Sequence, residues 1–265
     1  MTLIKPEADF ANPRGQIVRF SFARARPSLR ATVAVSGAFR AAALSALHTM
    51  TGSDNSFLLA GRYADGRPDR EHRHAYYLPQ PGSAESLFGM LVVSPYDRFS
   101  EEEMSALRAI RVLQWNGPTT RISVELVDAE DEAARTLASH WISGTPYVPS
   151  RRFWGTHGKH HLAPGSQLRS ELKHVAGDVS LSDIKTCTWG EVPVRVSSVG
   201  SNRELSPPQR RGFRVEFRTV RPICGPLALG HSSHFGLGLF VPAHGVNREA
   251  PTVGMSRESA PYSPD

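Results

Sequence analysis

The amino-acid sequence predicts an α+β fold, and three patterns support this class. Segments in which apolar and polar residues alternate, as in half-buried strands, occur in both halves of the chain. Segments with apolar residues at helical spacing lie between them. A glycine-rich run, GPLALGHSSHFGLGLFVP at residues 225–242, follows the last of these segments. We therefore expect strands and helices in one chain, with a tight glycine-rich turn before the last strand.

The first half of the chain has the more regular pattern. Ser36 is the predicted cap of a helix rich in Ala and Leu, and Ser100 with Glu103 forms a capping box at the start of a second helix. The predicted elements are, in order, strand 17–22, helix 35–50, strand 75–78, strand 87–94, helix 100–113 and strand 121–127. This order is that of a ferredoxin-like unit, which we assign to residues 1–130.

The second half is predicted to repeat this order less regularly. Residues 141–148 could begin this second unit, and its predicted elements are a helix at 164–174 and strands at 192–199 and 213–220. We therefore assign a second ferredoxin-like unit to residues 131–242, so that the fold is a tandem of such units with a glycine-rich loop near its end. Residues 243–265 are polar and lack periodicity, which predicts a disordered tail.

The charge balance favours a partner that carries phosphate groups. The 265 residues have a formal net charge of +6, and arginine far outnumbers lysine. The guanidinium group grips phosphate through paired hydrogen bonds, so an arginine-rich surface suits such partners. Net charge alone also fits a generally basic protein without a specific polyanion.

Other features of the sequence limit its cellular context. Cys187 and Cys224 have no metal-ligand spacing and predict no disulfide framework. The first residues, MTLIKPEADF, show no signal pattern, and no apolar run approaches the length that spans a membrane. We therefore expect a cytoplasmic protein without a membrane partner.

The glycine-rich run predicts a turn that could face an anion. Gly230, Gly236 and Gly238 allow backbone angles and close approaches that a Cβ would block, and His231 and His234 lie among them. Backbone N–H groups freed in such a turn can point at a phosphate. The spacing matches neither the P-loop nor the dinucleotide fingerprint. The alternative is a tight turn that only leads into a buried last strand.

Two histidines flank an arginine where the second strand is predicted to begin. His72 and His74 stand on either side of Arg73, and residues i and i+2 of a strand point to one face. Imidazole titrates near neutral pH, so the pair suits general acid–base chemistry on a phosphodiester. One of the two could instead bond a backbone group. His48 is a rival, but its place at a helix end is explained by the helix dipole.

The segment RRFWGTHGKHH, residues 151–161, is the most basic short stretch of the chain. Its cations could hold a phosphate backbone while Phe153 or Trp154 stacks a base, or the segment could be a solvated loop. Lys159 is the best candidate for neutralising a pentacoordinate phosphate.

A zinc site is the main alternative use of the histidines. It would take His72 and His74 together with His160 or His161, and it would need a ligand from a distant part of the chain. The sequence has neither an HExxH motif nor paired cysteines. We therefore expect no metal ion and no other cofactor.

Three motifs, in order along the chain, carry a family resemblance. They are HRHAYYLP at 72–79, WISGTPYVPSR at 141–151 and the glycine-rich run at 225–242. A glycine-rich loop of this form resembles the hallmark of the RAMP proteins of CRISPR systems. The three motifs together resemble the Cas-six-like half of the Csb-two fusion protein of type I-U (I-G) systems, over nearly the whole chain except the tail. The Cas-five-like half of that fusion has no counterpart here.

The resemblance implies a metal-independent endoribonuclease that processes CRISPR repeat RNA. RNA carries its own nucleophile, so the expected reaction is attack of the 2′-hydroxyl on the phosphate, giving a 2′,3′-cyclic phosphate and a 5′-hydroxyl. The product hairpin is expected to be retained in a type I effector complex. The catalytic residues expected here are His72, His74 and Lys159. The expected RNA-binding residues are Arg73, Arg151, Arg152, His157, Arg210, Arg211, Gly230, His231, His234, Gly236 and Gly238.

Repeat RNA and other effector subunits, among them a separate Cas-five-like one, are the implied partners. One alternative is a non-catalytic RAMP-fold subunit that holds guide RNA, since the same loop and basic surface would serve it. Another is a metal-dependent hydrolase built on the histidine cluster.

Overall fold

The computed structural model describes residues 15–23, 26–69, 73–82, 85–115, 120–150, 163–177, 179–195 and 209–243. Several predicted features lie outside these residues. They are His72, the basic segment 151–161 and the predicted tail beyond residue 243. Within the described residues, no helix has the length and apolarity needed to span a membrane.

A first antiparallel sheet is formed by the N-terminal half of the chain. The elements are β1 (Gln16–Ala23), α1 (Thr32–Thr51), α2 (Phe57–Ala60), β2 (Tyr76–Pro81), β3 (Leu87–Ser94), α3 (Glu101–Ala109), β4 (Val112–Gln114) and β5 (Arg121–Asp128). The strand order is β2-β3-β1-β5-β4, and neighbouring strands are antiparallel. Strands β2, β3, β1 and β5 have the ferredoxin-like order, and β4 adds an edge strand to it.

The helices of this half are stabilised by an apolar face against the sheet in α1 and by an N-terminal cap in α3. Val35, Phe39 and Ala43 of α1 are buried against the sheet. The predicted capping box of α3 is confirmed, with Ser100 and Glu103 bonded to each other's backbone N–H.

Two details of the helix predictions are wrong. The first helix begins at Thr32, so Ser36 is not its cap. The buried Ser36 hydroxyl instead lies 2.9 Å from Thr32 O and 3.0 Å from Tyr77 O, which share its single proton. The second helix ends at Ala109, because Ile110 is extended and the chain turns into β4.

A second antiparallel sheet is formed by the C-terminal half. Its elements are β6 (Leu137–Ser143), α4 (Pro164–Ala176), β7 (Leu181–Pro193), β8 (Gln209–Cys224), β9 (Leu227–Ala228) and β10 (Leu239–Pro242). The strand order β7-β8-β6-β10-β9 repeats the ferredoxin-like order in its first four strands. The predicted α+β class with tandem ferredoxin-like units is therefore confirmed.

The two sheets differ where the second helix of each unit is expected. In the first sheet α3 connects β3 to the later strands, whereas between β8 and β10 the chain forms β9 and a short 3-10 helix at Ser233–Phe235. The strand predicted at 192–199 coincides with β7 only at its first two residues, since β7 ends at Pro193, and residues 196–199 lie outside the described part of the chain. Most of β7 is solvent-exposed, so its sequence lacks the apolar alternation that marks a half-buried strand.

The two sheets pack against each other through one shared apolar cluster. The first sheet contributes Ile17, Tyr76, Leu78, Leu91 and Val93, and the second contributes Ala228 and Leu239. An ion pair between Arg214 in β8 and Glu85, with nitrogen and oxygen 2.8 Å apart, joins the halves at the exposed edge. The packing places the glycine-rich turn directly against β2.

Candidate functional site

His74 lies in a bend immediately before β2 rather than in the strand. It is half-buried, and the neighbouring Ala75 N donates to Leu58 O of α2 at 2.8 Å. The ring packs against Gly61, where a Cβ would come within 2.8 Å of His74 Cδ2. Because β2 begins at Tyr76, the expected strand geometry of the two histidines does not apply to His74.

The glycine-rich turn packs against the first unit with little room for a side chain. Gly236 has φ +78°, and a Cβ there would lie 2.3 Å from Pro79 Cδ and 3.1 Å from Tyr77 O. Gly238 has φ +62°, and its Cβ would lie 1.9 Å from Leu229 O. Both positions therefore require glycine, for backbone conformation and for contact.

Many amides of the turn are engaged by the fold itself. His231 N donates to Val148 O (2.7 Å), and Gly238 N donates to Pro146 O (2.8 Å). Gly236 N donates within the turn. The amides of His231, Gly236 and Gly238 are therefore already bonded, and only amides of the turn without such a bond are still predicted to face an anion. Gly230 precedes this network, with φ +92°.

The turn brings His234 onto His74. The centroids of the two imidazole rings are 4.1 Å apart, with an angle of 34° between the rings. The Tyr76 ring also stacks on His234, with the two ring centroids 3.9 Å apart and an interplanar angle of 21°. Three rings from the two units therefore form one cluster at their junction.

Tyr76 supports this cluster as a neutral group. It is 6% exposed, and burial raises the pKa of its phenol far above the ordinary value. The phenol therefore keeps its proton near neutral pH, where Tyr76 contacts His234 as a neutral ring and does not act as a base.

Buried hydroxyl groups fix the position of the turn. Thr145 is fully buried, and its Oγ1 donates to Gly236 O at 2.6 Å and accepts from Leu239 N at 2.9 Å. The Ser232 hydroxyl donates to Val194 O at 2.7 Å, which attaches the start of the turn to the end of β7. His234 is thus held by bonds on both sides of its position in the chain.

Arg73 is adjacent to His74 and makes several local contacts. Its Nη2 donates to Tyr63 Oη at 3.0 Å, and its guanidinium carbon lies 5.1 Å from the centroid of the Phe57 ring. Its backbone N–H donates to the buried Asp69 carboxylate at 2.6 Å. A third of the side chain is exposed, so the predicted RNA contact remains open as a prediction.

Two of the other predicted residues lie on the long strand of the second sheet. Arg210 and Arg211 lie in β8 opposite Val192 and Glu191 of β7. His48 is exposed in the last turn of α1, as expected of a histidine that complements a helix dipole. The predicted residues outside the described part of the chain are His72, Arg151, Arg152, His157 and Lys159.

Sequence reasoning missed the pairing of His74 with His234. It placed the first among the acid–base groups and the second in the RNA-binding loop, and the two are far apart in the chain. No local pattern links them. The signal that could have found the pair is the ferredoxin-like order in both halves, which places a late connection beside the first unit.

The described residues contain no cluster of side chains suited to bind a metal ion. No group of three or more His, Cys, Asp or Glu side chains there could hold a metal ion. The zinc alternative used His72 with His160 or His161, which lie outside the described residues, so it stays untested.

The comparisons with known proteins give a distant likeness in fold. No protein-family model and no curated protein matches the chain. A solved Cas6 product complex is 12% identical with a TM-score of 0.44, covering 87% of this chain and 100% of its own. A crystal structure of Cas6b (10% identity, TM-score 0.44) covers 86% and 99%. A Cas6-related protein from Pyrococcus furiosus (10% identity, TM-score 0.44) covers 86% and 98%. The fold assignment itself depends on the strand order of the two sheets.

Proposed function

We propose that the protein is a CRISPR repeat-RNA endoribonuclease that uses the 2′-hydroxyl of its substrate as nucleophile, without a metal ion. The observation that carries this proposal is the His74–His234 pair, with ring centroids 4.1 Å apart at the junction of the two units. The three ordered motifs and the net charge of +6 support an RNA substrate.

The pair is suited to hold one proton. Two imidazolium ions at this separation would repel each other, so we propose that the pair reacts with one ring protonated and the other neutral. One ring is then a base and the other an acid at the same time. Because the two sites are coupled, the roles belong to the pair rather than to one ring.

The proposed reaction balances with these two groups alone. The neutral imidazole takes the proton of the 2′-hydroxyl as the 2′-oxygen bonds to phosphorus. The bond from phosphorus to the 5′-oxygen breaks, and the imidazolium gives its proton to that oxygen. The products are a 2′,3′-cyclic phosphate and a 5′-hydroxyl. Lys159, or another cation of the basic segment, is proposed to neutralise the phosphate.

The proposal includes a biological setting drawn from the sequence motifs. We propose that the chain corresponds to the Cas-six-like half of the type I-U fusion and keeps its product hairpin. A separate Cas-five-like subunit is the proposed partner in an effector complex. Arg210, Arg211 and residues of the glycine-rich turn are proposed RNA contacts.

Labelled repeat RNA incubated with the protein in EDTA tests the proposal. Wild-type protein should cut once, and His74→Ala or His234→Ala should slow the cut by about 10²–10⁴-fold, the usual contribution of an acid or base. His48→Ala is the matched control, since this exposed histidine lies at the end of α1, and it should cut normally. A 2′-deoxy nucleotide at the cut site should block the reaction. Absence of cutting by wild type, or normal cutting by both site variants, would contradict the proposal.

A non-catalytic RAMP-fold subunit is the second candidate, and one observation favours it. His74 and His234 are half-buried and form a stack with the buried Tyr76, an arrangement that packing alone can explain. Such a subunit would bind guide RNA with a strongly salt-dependent affinity and leave it intact.

A further inference from the structure

A surface separate from the imidazole pair lies on the hairpin of residues 61–69. Asp69 N donates to Gly61 O at 2.7 Å, and Tyr63 N donates to Arg67 O at 2.9 Å, so the hairpin is closed by backbone hydrogen bonds at its base and near its tip. The chain is therefore ordered here before any ligand binds, which lowers the entropy cost of binding.

The hairpin presents an aromatic ring that contacts two guanidinium groups. Tyr63 is 36% exposed, and its ring centroid lies 5.4 Å from that of Phe57. The Arg67 guanidinium carbon lies 5.8 Å from the Tyr63 centroid, and Arg73 Nη2 donates to Tyr63 Oη. Arg62 is exposed on the same hairpin. Aromatic rings beside arginines are the composition that binds unpaired nucleotides.

This cluster adjoins the imidazole pair through the backbone. Gly61, at the base of the hairpin, packs against the His74 ring, and Arg73 immediately precedes His74 in the chain. Since the Arg73 side chain also contacts Tyr63, the Tyr63 ring lies close to the proposed site of the phosphate.

We infer that Tyr63 stacks one unpaired base of the RNA next to the phosphate that is cut. The inference rests on the proposed function, because it takes RNA as the ligand. A base inside a duplex has both faces covered by its neighbours, so the ligand of this subsite is a nucleotide in a single-stranded flank. Arg67 pairs with Asp65 in the free protein, so its phosphate contact must compete with that carboxylate. Most of the binding therefore comes from the ring.

Binding to two uncut RNAs measures the subsite. One probe is a repeat hairpin with single-stranded flanks and a 2′-deoxy nucleotide at the cut site, and the other is the same hairpin without flanks. Tyr63→Ala should weaken binding of the flanked RNA by about 5- to 100-fold, the range for loss of one base–aromatic stack. Its effect on the flankless hairpin should be less than about twofold. Tyr63→Phe keeps the ring and should bind both as wild type does.

Two further variants complete the design. Tyr63→Leu keeps apolar bulk without an aromatic face, so it should behave as Tyr63→Ala does and replaces it if that variant does not fold. Arg67→Ala should lower the salt dependence of binding, whereas Arg98→Ala, which removes an exposed arginine paired with Glu130 elsewhere in the first unit, should not. Equal effects of Tyr63→Ala on the two RNAs, or no effect on either, would overturn the inference alone. A wild-type protein that binds neither RNA would overturn the proposed function as well.

Discussion

The two ferredoxin-like units have the same strand order but use the connection before the last strand differently. In the first unit α3 fills it, with a capping box and an apolar face on the sheet. In the second unit the glycine-rich turn stands in its place and reaches across to β2, where Gly236 lies against Pro79. A helix would cover its own sheet, whereas the turn carries His234 to the other unit. Leu237 of the turn still packs against Val148 and Val192 of its own unit, so the turn, unlike α3, serves both its own unit and the junction with the other.

The largest expected effect comes from a side chain added at Gly236. The Gly236→Ala Cβ would clash with Pro79 and Tyr77 in a left-handed backbone conformation, so the variant should lose about 2–5 kcal/mol of unfolding free energy. RNA cleavage should fall with it. Gly52→Ala is the matched control, since Gly52 has φ +74° but no atom within 4 Å of its Cβ position. It should lose only about 1–2 kcal/mol in denaturant unfolding. Equal losses would show that contact with β2 is not important.

Thr145→Val should have the next largest effect. It keeps the shape of the side chain but leaves Gly236 O and Leu239 N without the Thr145 hydroxyl, at a cost of about 2–4 kcal/mol. Cleavage by the folded variant should slow because the turn that holds His234 is loosened. Thr145→Ser should restore both stability and rate. A Thr145→Val protein with wild-type stability and rate would remove this residue from the account.

Ser100→Ala tests the corresponding connection of the first unit, helix α3. Loss of the capping hydroxyl should cost about 1 kcal/mol in thermal or denaturant unfolding, with RNA cleavage unchanged at temperatures where the protein stays folded. We therefore predict that α3 only stabilises the first unit, whereas the glycine-rich turn both stabilises the protein and positions the reacting His234. A large fall in cleavage by folded Ser100→Ala would erase that contrast.

The smallest expected effect concerns Glu216 on the second sheet. A hydrogen bond from His140, with a smaller contribution from Lys185, lowers the pKa of the Glu216 carboxyl below its usual range. A lowered pKa in the folded state adds stability above the ordinary pKa of glutamate, and this is lost as the pH falls through the folded value. His140→Ala should therefore flatten the acid side of a plot of melting temperature against pH slightly, because exposed pairs contribute little. An unchanged plot would show that this contact does not contribute to stability at low pH.

Much of the fold could be predicted from sequence because its signals are local. The strand at 87–94 and the capping box of α3 follow from alternation and from a motif four residues long. Most of strand β7 is not predicted, because a strand with solvent on its surface lacks the apolar alternation that marks a half-buried strand. A serine at the predicted start of a helix is typical of a cap, and the contact of Ser36 with Tyr77 O cannot be predicted because it depends on tertiary packing.

The candidate site was predicted only in part. His74 and His234 were each singled out, but as members of different groups, because ring contact between distant parts of the chain leaves no local pattern. Tyr76 and Thr145 could not be found as supports, since their roles depend on burial and on partners in the other elements. The predicted boundary between the two units at residue 130 stays a prediction.

The most direct test of the central claim is single-turnover cleavage of repeat RNA in EDTA by His74→Ala, His234→Ala and the double variant. If the two imidazoles act as one acid–base pair, each single variant should lose most of the rate, and the double variant should lose little more than either. Cleavage by His234→Ala at the wild-type rate, with His74→Ala inactive, would contradict the account.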